Sequence, residues 1–157
     1  MINKKQLTER SFTPSQLFGF DGVHSIQLAV DFMHDLSKAD SLQAVLNTIA
    51  YWVSHVFNAD RASITLQDTE EYLKLYSISG NHAIPMDFKI PIGQTFVGRV
   101  FTYAKLIICD DLAQSDELDC KMLSEHGMGT CMDAPMIHNG VYIGTLNVAD
   151  QRNHHCT

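Results

Sequence analysis

The run Cys131-Met132-Asp133-Ala134-Pro135-Met136-Ile137, then His138-Asn139-Gly140, then Val141-Tyr142-Ile143-Gly144-Thr145-Leu146-Asn147-Val148 decides the architecture. Asn-Gly between two β-prone runs suits a type I′ turn, whose central residues both take positive φ. The spacing therefore predicts an antiparallel hairpin. Upstream of it, helix and strand signals alternate. Ser115 with Asp116 and Glu117 opens a helix that Gly127 stops. Leu106-Ile107-Ile108-Cys109 is a compact apolar strand. Phe96 to Tyr103 is a short helix after Gly93 and Thr95, and Phe88 to Ile90 is a short strand. Tyr72 to Ile78 is a strand ended by Ser79-Gly80-Asn81. Before it, Ala62, Ile64 and Leu66 alternate with Ser63, Thr65 and Gln67, as a half-buried strand does.

Further back the period becomes helical. Leu42, Val45, Leu46, Ile49, Val53, Val56 and Phe57 fall on one stripe, with Asn58 as its stop. Asp40 followed by Gln43 resembles a capping box at its start. Ile26, Ala29, Val30, Met33 and Leu36 mark an earlier helix. Residues 1–24 show no period and are expected to be an arm, and 151–157 a tail. Residues 25–150 form the expected domain. The order predicts an α+β fold, a central antiparallel sheet of about six strands with helices on its faces.

Composition narrows the function classes. The chain has 157 residues, one domain's worth, with 11 Lys and Arg against 18 Asp and Glu for a net charge of −7. That balance lacks the basic stripe that nucleic acid or an anionic membrane surface requires. The longest apolar stretch, Val45 to Phe57, is interrupted by Asn47, Thr48, Ser54 and His55, too short and polar to span a bilayer. The polar start carries no secretory signal, so the expected location is the cytoplasm. Cys109, Cys120, Cys131 and Cys156 contain no C-x-x-C pair and are expected to be free thiols.

Three stretches then resemble a known family. Asn58-Ala59-Asp60-Arg61-Ala62-Ser63-Ile64-Thr65-Leu66 looks like the first strand of a GAF domain. Ile90-Pro91-Ile92-Gly93-Gln94-Thr95-Phe96-Val97-Gly98-Arg99-Val100 resembles the family's strand, glycine and short helix. Ala134-Pro135-Met136-Ile137 with Gly140 to Val148 is similar to its closing hairpin. The resemblance implies a PAS-related, GAF-like sheet. It also implies a small-molecule sensor, non-catalytic by itself, serving an attached or partner effector such as a nucleotide cyclase, diguanylate cyclase, histidine kinase or transcription regulator. No helical pattern follows Asp150, so that effector is expected to lie outside this chain. The implied pocket lies between the sheet and residues 80–104 and 109–130, facing strand 130–136.

Candidate ligands divide by chemistry, and the cofactor stays unknown. A cyclic nucleotide could use Arg99 for its phosphate, but Ala149-Asp150-Gln151-Arg152 stands where an Asn-Lys pair is expected. A covalent bilin could use Cys120, yet Lys121 rather than His follows it. A thiol-dependent reductase of free methionine sulfoxide could use Cys109, Cys120 and Cys131 beside Asp110, Asp111 and Glu125. However, Met132-Asp133-Ala134 precedes Pro135 where that enzyme has Ser-Glu. No catalytic set is complete, so no enzyme is expected. His154-His155-Cys156 has no second cluster at ligand spacing, and no metal site is assigned. His126 beside Gly127 suits a helix end.

The expected ligand contacts are Thr130, Met132 and Ala134 on one strand face, with Phe96 and Arg99 above them. Asp110 and Asp111 could accept hydrogen bonds from an amine-bearing ligand or cap a turn. Asp133, on the other face, is expected to meet water or a partner. In a degenerate GAF dimerisation module Phe88, Phe96 and Met128 would fill the pocket instead. Tyr51 and Trp52 widen the helical stripe, which predicts a homodimer through the amino-terminal helices.

Overall fold

The computed structural model describes residues 9–12 and 22–153. His154, His155 and Cys156 lie outside the described residues. Two helices come first, α1 (Gly22–Ser37) and α2 (Leu42–Val56). The cap of α2 is Ser41, one residue after the expected Asp40. Ser41 is extended and its hydroxyl accepts from the Ala44 amide, satisfying one orphan donor of the first turn. Asn58, at φ 49°, turns the chain out of the helix. Trp52 does not extend the apolar face outward as expected. Its indole N–H donates to Asp35 at 2.8 Å and its ring meets Phe32 edge-on, closing α2 against α1.

The strands are β1 (Glu9–Phe12), β2 (Arg61–Gln67), β3 (Tyr72–Gly80), β4 (Lys89–Pro91), β5 (Leu106–Cys109), β6 (Thr130–His138) and β7 (Val141–Asp150). They form one antiparallel sheet in the order β1-β5-β6-β7-β2-β3-β4. The sheet has seven strands rather than about six, because Glu9–Phe12, within the expected arm, pairs with β5. Helices α3 (Phe96–Tyr103) and α4 (Leu118–Glu125) occupy the connections. Helix α4 starts after Glu117 rather than at Ser115, whose hydroxyl instead accepts from the Glu117 amide. Gly127 at φ 87° ends it, and His126 Nδ1 lies 2.9 Å from the Met122 carbonyl oxygen, a helix-end contact of the kind expected.

Two layers cover the sheet. Leu46 and Ala50 of α2 pack on Ile64, with Tyr76, Met136 and Leu146 around them. On the opposite face Phe96, Val97, Val100, Cys120 and Leu123 of α3 and α4 meet Leu73, Leu75, Ile107 and Cys109. Strand β2 is therefore not half-buried. Its first five residues are all buried, and the polar phase Arg61, Ser63 and Thr65 faces α3 and α4 instead of water. The buried hydroxyls of Thr65 and Thr145 satisfy one another at 2.6 Å.

Candidate functional site

Antiparallel register sets polar side chains side by side beneath α3 and α4. Ser63 on β2 stands opposite Asn147 on β7, and Asn147 stands opposite Asp133 on β6. Arg61 lies two residues along from Ser63, on the same face. Together with Cys131, Asp119, Val97 and Leu123 these residues enclose a cavity of about 30 Å³.

Each polar group has a distinct state. The Asn147 amide donates to the Ser63 hydroxyl at 3.2 Å, while its buried Oδ1 has no hydrogen-bond partner among the described residues. Arg61 is 3% exposed and donates to the carbonyls of Asn81 and Ile84. Burial lowers its pKa to about 10, against the pull of the Asp133 charge. Asp133 is 5% exposed, which corrects the expectation that it meets water. The second helical layer buries the strand face that the sequence assigned to solvent. Burial first, then the charges of Asp119, Cys109 and Glu117, holds its carboxyl well above the usual range, and Arg61 only partly offsets them.

Asp119 is buried differently. Its carboxylate accepts from the Phe96 and Val97 amides, each at 2.9 Å, and so caps α3 from a neighbouring helix. Burial raises its pKa although those amides favour the charged form. Beside it, Cys109 and Cys131 are direct cross-strand partners, and buried Cys120 joins them in one core cluster. The neighbouring Cys120 and Cys131 thiols lower the Cys109 pKa, helped by the Asp111 amide and the Arg99 charge. Cys109 in turn raises the pKa of both neighbours.

None of the seven residues expected to hold a ligand lines this cavity. Thr130, Met132 and Ala134 do share a strand face, but it is the face of Leu146, toward α2, and the Thr130 hydroxyl donates to the Cys109 carbonyl. Phe96 is core, as is Met128, with Phe88 packed against them. Arg99, expected as a phosphate contact, is not free in solvent. It spans Glu9 at 2.8 Å and Glu117 at 2.7 Å, tying β1 to the start of α4. Burial opposes its charge, but those two carboxylates outweigh burial and raise its pKa. Asp110 pairs with Arg10 at 2.7 Å, and Asp111 caps the short turn Leu112–Gln114 through the Ala113 amide. Arg61, Ser63 and Asn147 went unnoticed in the sequence. The available signal was the polar phase of β2 and its match across the hairpin.

The GAF domain family model matches residues 41–157, and the chain belongs to that family. Solved structures share the fold. The GAF domain of an Acinetobacter phosphoenolpyruvate-protein phosphotransferase superposes with a TM-score of 0.71 at 14% identity, covering 85% of this chain and 81% of that one. The free methionine-R-sulfoxide reductase of Neisseria meningitidis, solved with its substrate, gives 0.68 at 17% identity, covering 87% and 80%. The chromophore-binding domain of an R. palustris bacteriophytochrome gives 0.64 at 13% identity, covering 85% and 55%. No curated protein matches the sequence. Among the described residues no group of His, Cys, Asp and Glu is arranged to hold a metal, and no helix is long and apolar enough to cross a membrane.

Proposed function

We propose that this chain is a cytoplasmic regulatory domain that binds a small polar molecule in the Arg61–Asp133 cavity and passes the signal to an attached or partner effector. The observation that carries this reading is the buried Asn147 Oδ1 without a partner, in a cavity it shares with Asp133. A buried acceptor left unmatched costs about 1–3 kcal/mol, and a ligand donor removes that cost. The size of the cavity sets the size of the ligand. About 30 Å³ is an order of magnitude below the roughly 300–1,000 Å³ of sites for drug-sized molecules, which disfavours a cyclic nucleotide or a tetrapyrrole. The test is a thermal-shift screen of small polar metabolites on the wild-type chain and on Asn147→Ala. A stabilising compound whose effect shrinks in the variant supports the reading. Hits indifferent to Asn147 sink it.

A second reading rests on the thiols. Cys109, Cys120 and Cys131 converge beside Asp119 and Asp133, and one fold neighbour reduces free methionine-R-sulfoxide. In that chemistry two thiols become a disulfide, the sulfoxide oxygen leaves as water, and an external thiol restores the pair. Turnover of free methionine sulfoxide with a thiol reductant, abolished by Cys109→Ser or Cys131→Ser, would establish it over the non-catalytic reading. A homodimer through α1 and α2 is part of the proposal, and its test belongs with the whole molecule below.

A further inference from the structure

The wall of the cavity beneath α3 and α4 holds donors, an acceptor and a thiol. Arg61 commits one N–H to the Asn81 carbonyl and one to the Ile84 carbonyl. A guanidinium has five N–H donors, so three remain without a described protein acceptor. The Asn147 Oδ1 is an acceptor without a described donor. Cys131 adds its sulfur to the same wall, and Cys109, its direct cross-strand partner, and Cys120 cluster with it outside the lining. A molecule that fills this space must accept from Arg61, donate to Asn147 and be short. At about 10–15 Å³ per water-sized group, about 30 Å³ admits two or three such groups. Two linked oxygens, each carrying a hydrogen, meet all three conditions.

We infer that the cavity takes hydrogen peroxide, which oxidises Cys131 and closes a reversible Cys109–Cys131 disulfide. The inference rests on the cavity being the sensor site, and it names the ligand of that site. Register permits the link. Directly opposed residues of antiparallel strands stand about 4.5–5.5 Å apart at Cα, within the roughly 4.4–6.8 Å that a disulfide spans.

The Cys131 sulfur attacks one peroxide oxygen, and the O–O bond breaks. The Cys131 proton passes to Cys109, whose pKa the Cys120 and Cys131 thiols lower, so that the cluster holds a thiolate there. The departing hydroxide takes a proton from Asp133, whose carboxyl burial keeps neutral in the same cavity. The products are a Cys131 sulfenic acid and one water. The Cys109 sulfur then attacks the Cys131 sulfur, the S–O bond breaks, and the hydroxyl leaves with the Cys109 proton as a second water. Two thiols have given two electrons to the peroxide. Asp133 regains its proton from solvent, and a low-molecular-weight thiol reopens the disulfide by exchange.

The experiment treats the reduced wild-type chain with hydrogen peroxide or with tert-butyl hydroperoxide and maps disulfides by mass spectrometry of unreduced digests. The second reagent has the same O–O bond but a bulk that the cavity does not admit. Each rate is divided by the rate of the same reagent with free cysteine. The expected result is a Cys109–Cys131 link that forms about tenfold or more faster with hydrogen peroxide, as exclusion by size requires. Asn147→Ala should slow that reaction about fivefold to tenfold, the loss of one hydrogen bond, with an intact circular dichroism spectrum. Because the comparison of hydroperoxides needs only wild-type protein, it decides the matter even if that variant does not fold. Equal normalised rates with the two reagents, or a disulfide that omits Cys131, overturn the inference. Faster closure with free methionine sulfoxide than with hydrogen peroxide overturns it in favour of the reductase reading. A chain inert to peroxide overturns it as well. The cavity reading then stands if a metabolite still stabilises the wild type more than Asn147→Ala, and falls if none does.

Discussion

Burial without an ion pair makes Asp133 the side chain whose protonation the fold controls. The unfolded chain releases an Asp proton near pH 3.9, whereas the folded chain holds this one well above that. Between those values the folded state binds more protons than the unfolded state. Stability therefore falls as pH rises from about 4 to the folded pKa, then levels off. Asp119, raised by burial as well, contributes in the same direction. Asp133→Asn removes one of these burdens, so its melting temperature relative to wild type should climb as pH rises above the ordinary Asp range. Parallel melting curves for the two proteins across that rise would refute the burial account. Gly98 sets a different limit. Its Cα faces the Ile92 carbonyl so closely that a Cβ would collide with that oxygen. Gly98→Ala is expected to cost about 1–3 kcal/mol by overpacking, read as a lowered denaturation midpoint at unchanged slope.

Elements were legible where one local signal sufficed. The Asn139-Gly140 turn, the stripe of α2 and the short helix after Thr95 fall where the residues placed them. What the sequence did not reveal depended on layers meeting. The alternation of β2 was read correctly, but whether Arg61, Ser63 and Thr65 faced water depended on α3 and α4 covering them. The same layer buried Asp133, while Thr130, Met132 and Ala134, the expected contact face, lie on the α2 side of β6. Strand β1 escaped notice because four residues, Glu9–Phe12, carry no usable period. Its attachment is a matter of charge. Arg99 bridges Glu9 to Glu117, and Arg10 reaches Asp110. Of the two, Arg99 holds more, since its partners are largely buried whereas Arg10 is 38% exposed and screened by solvent. Arg99→Ala should therefore release β1, with the amides of Glu9–Phe12 exchanging about tenfold or more faster, a free energy near that of one charged hydrogen bond. Arg10→Ala should change exchange there only slightly. Equal effects would mean that backbone pairing with β5, rather than the Arg99 bridge, holds the strand.

At the scale of the whole molecule, the sheet is covered on both faces, yet α1 and α2 still present apolar groups outward. Val30 is 56% exposed, Met33 68%, Tyr51 52% and Val56 53%, while Trp52 is used inside the protomer against Phe32 and Asp35. Isolated exposed apolar residues are ordinary, but several on one helix pair mark an interaction surface when they are contiguous. The proposed occupant is a second copy, because an isologous contact sets the same apolar patch against itself. The expectation is a dimer by sedimentation at tens of micromolar, on the order of modest self-association. Met33→Glu with Tyr51→Glu should give a monomer, since two carboxylates per protomer would have to be desolvated across the interface. Trp52 is the single tryptophan and reports on the α1–α2 seam. Because the Tyr51 ring meets Trp52 edge-on, Trp52 fluorescence changes with Tyr51→Glu. An unchanged circular dichroism spectrum of the double variant is therefore what shows that the fold persists while the association is lost. A wild-type monomer throughout that concentration range would place the signalling contact elsewhere. A dimer that survives both substitutions would move the interface off these helices.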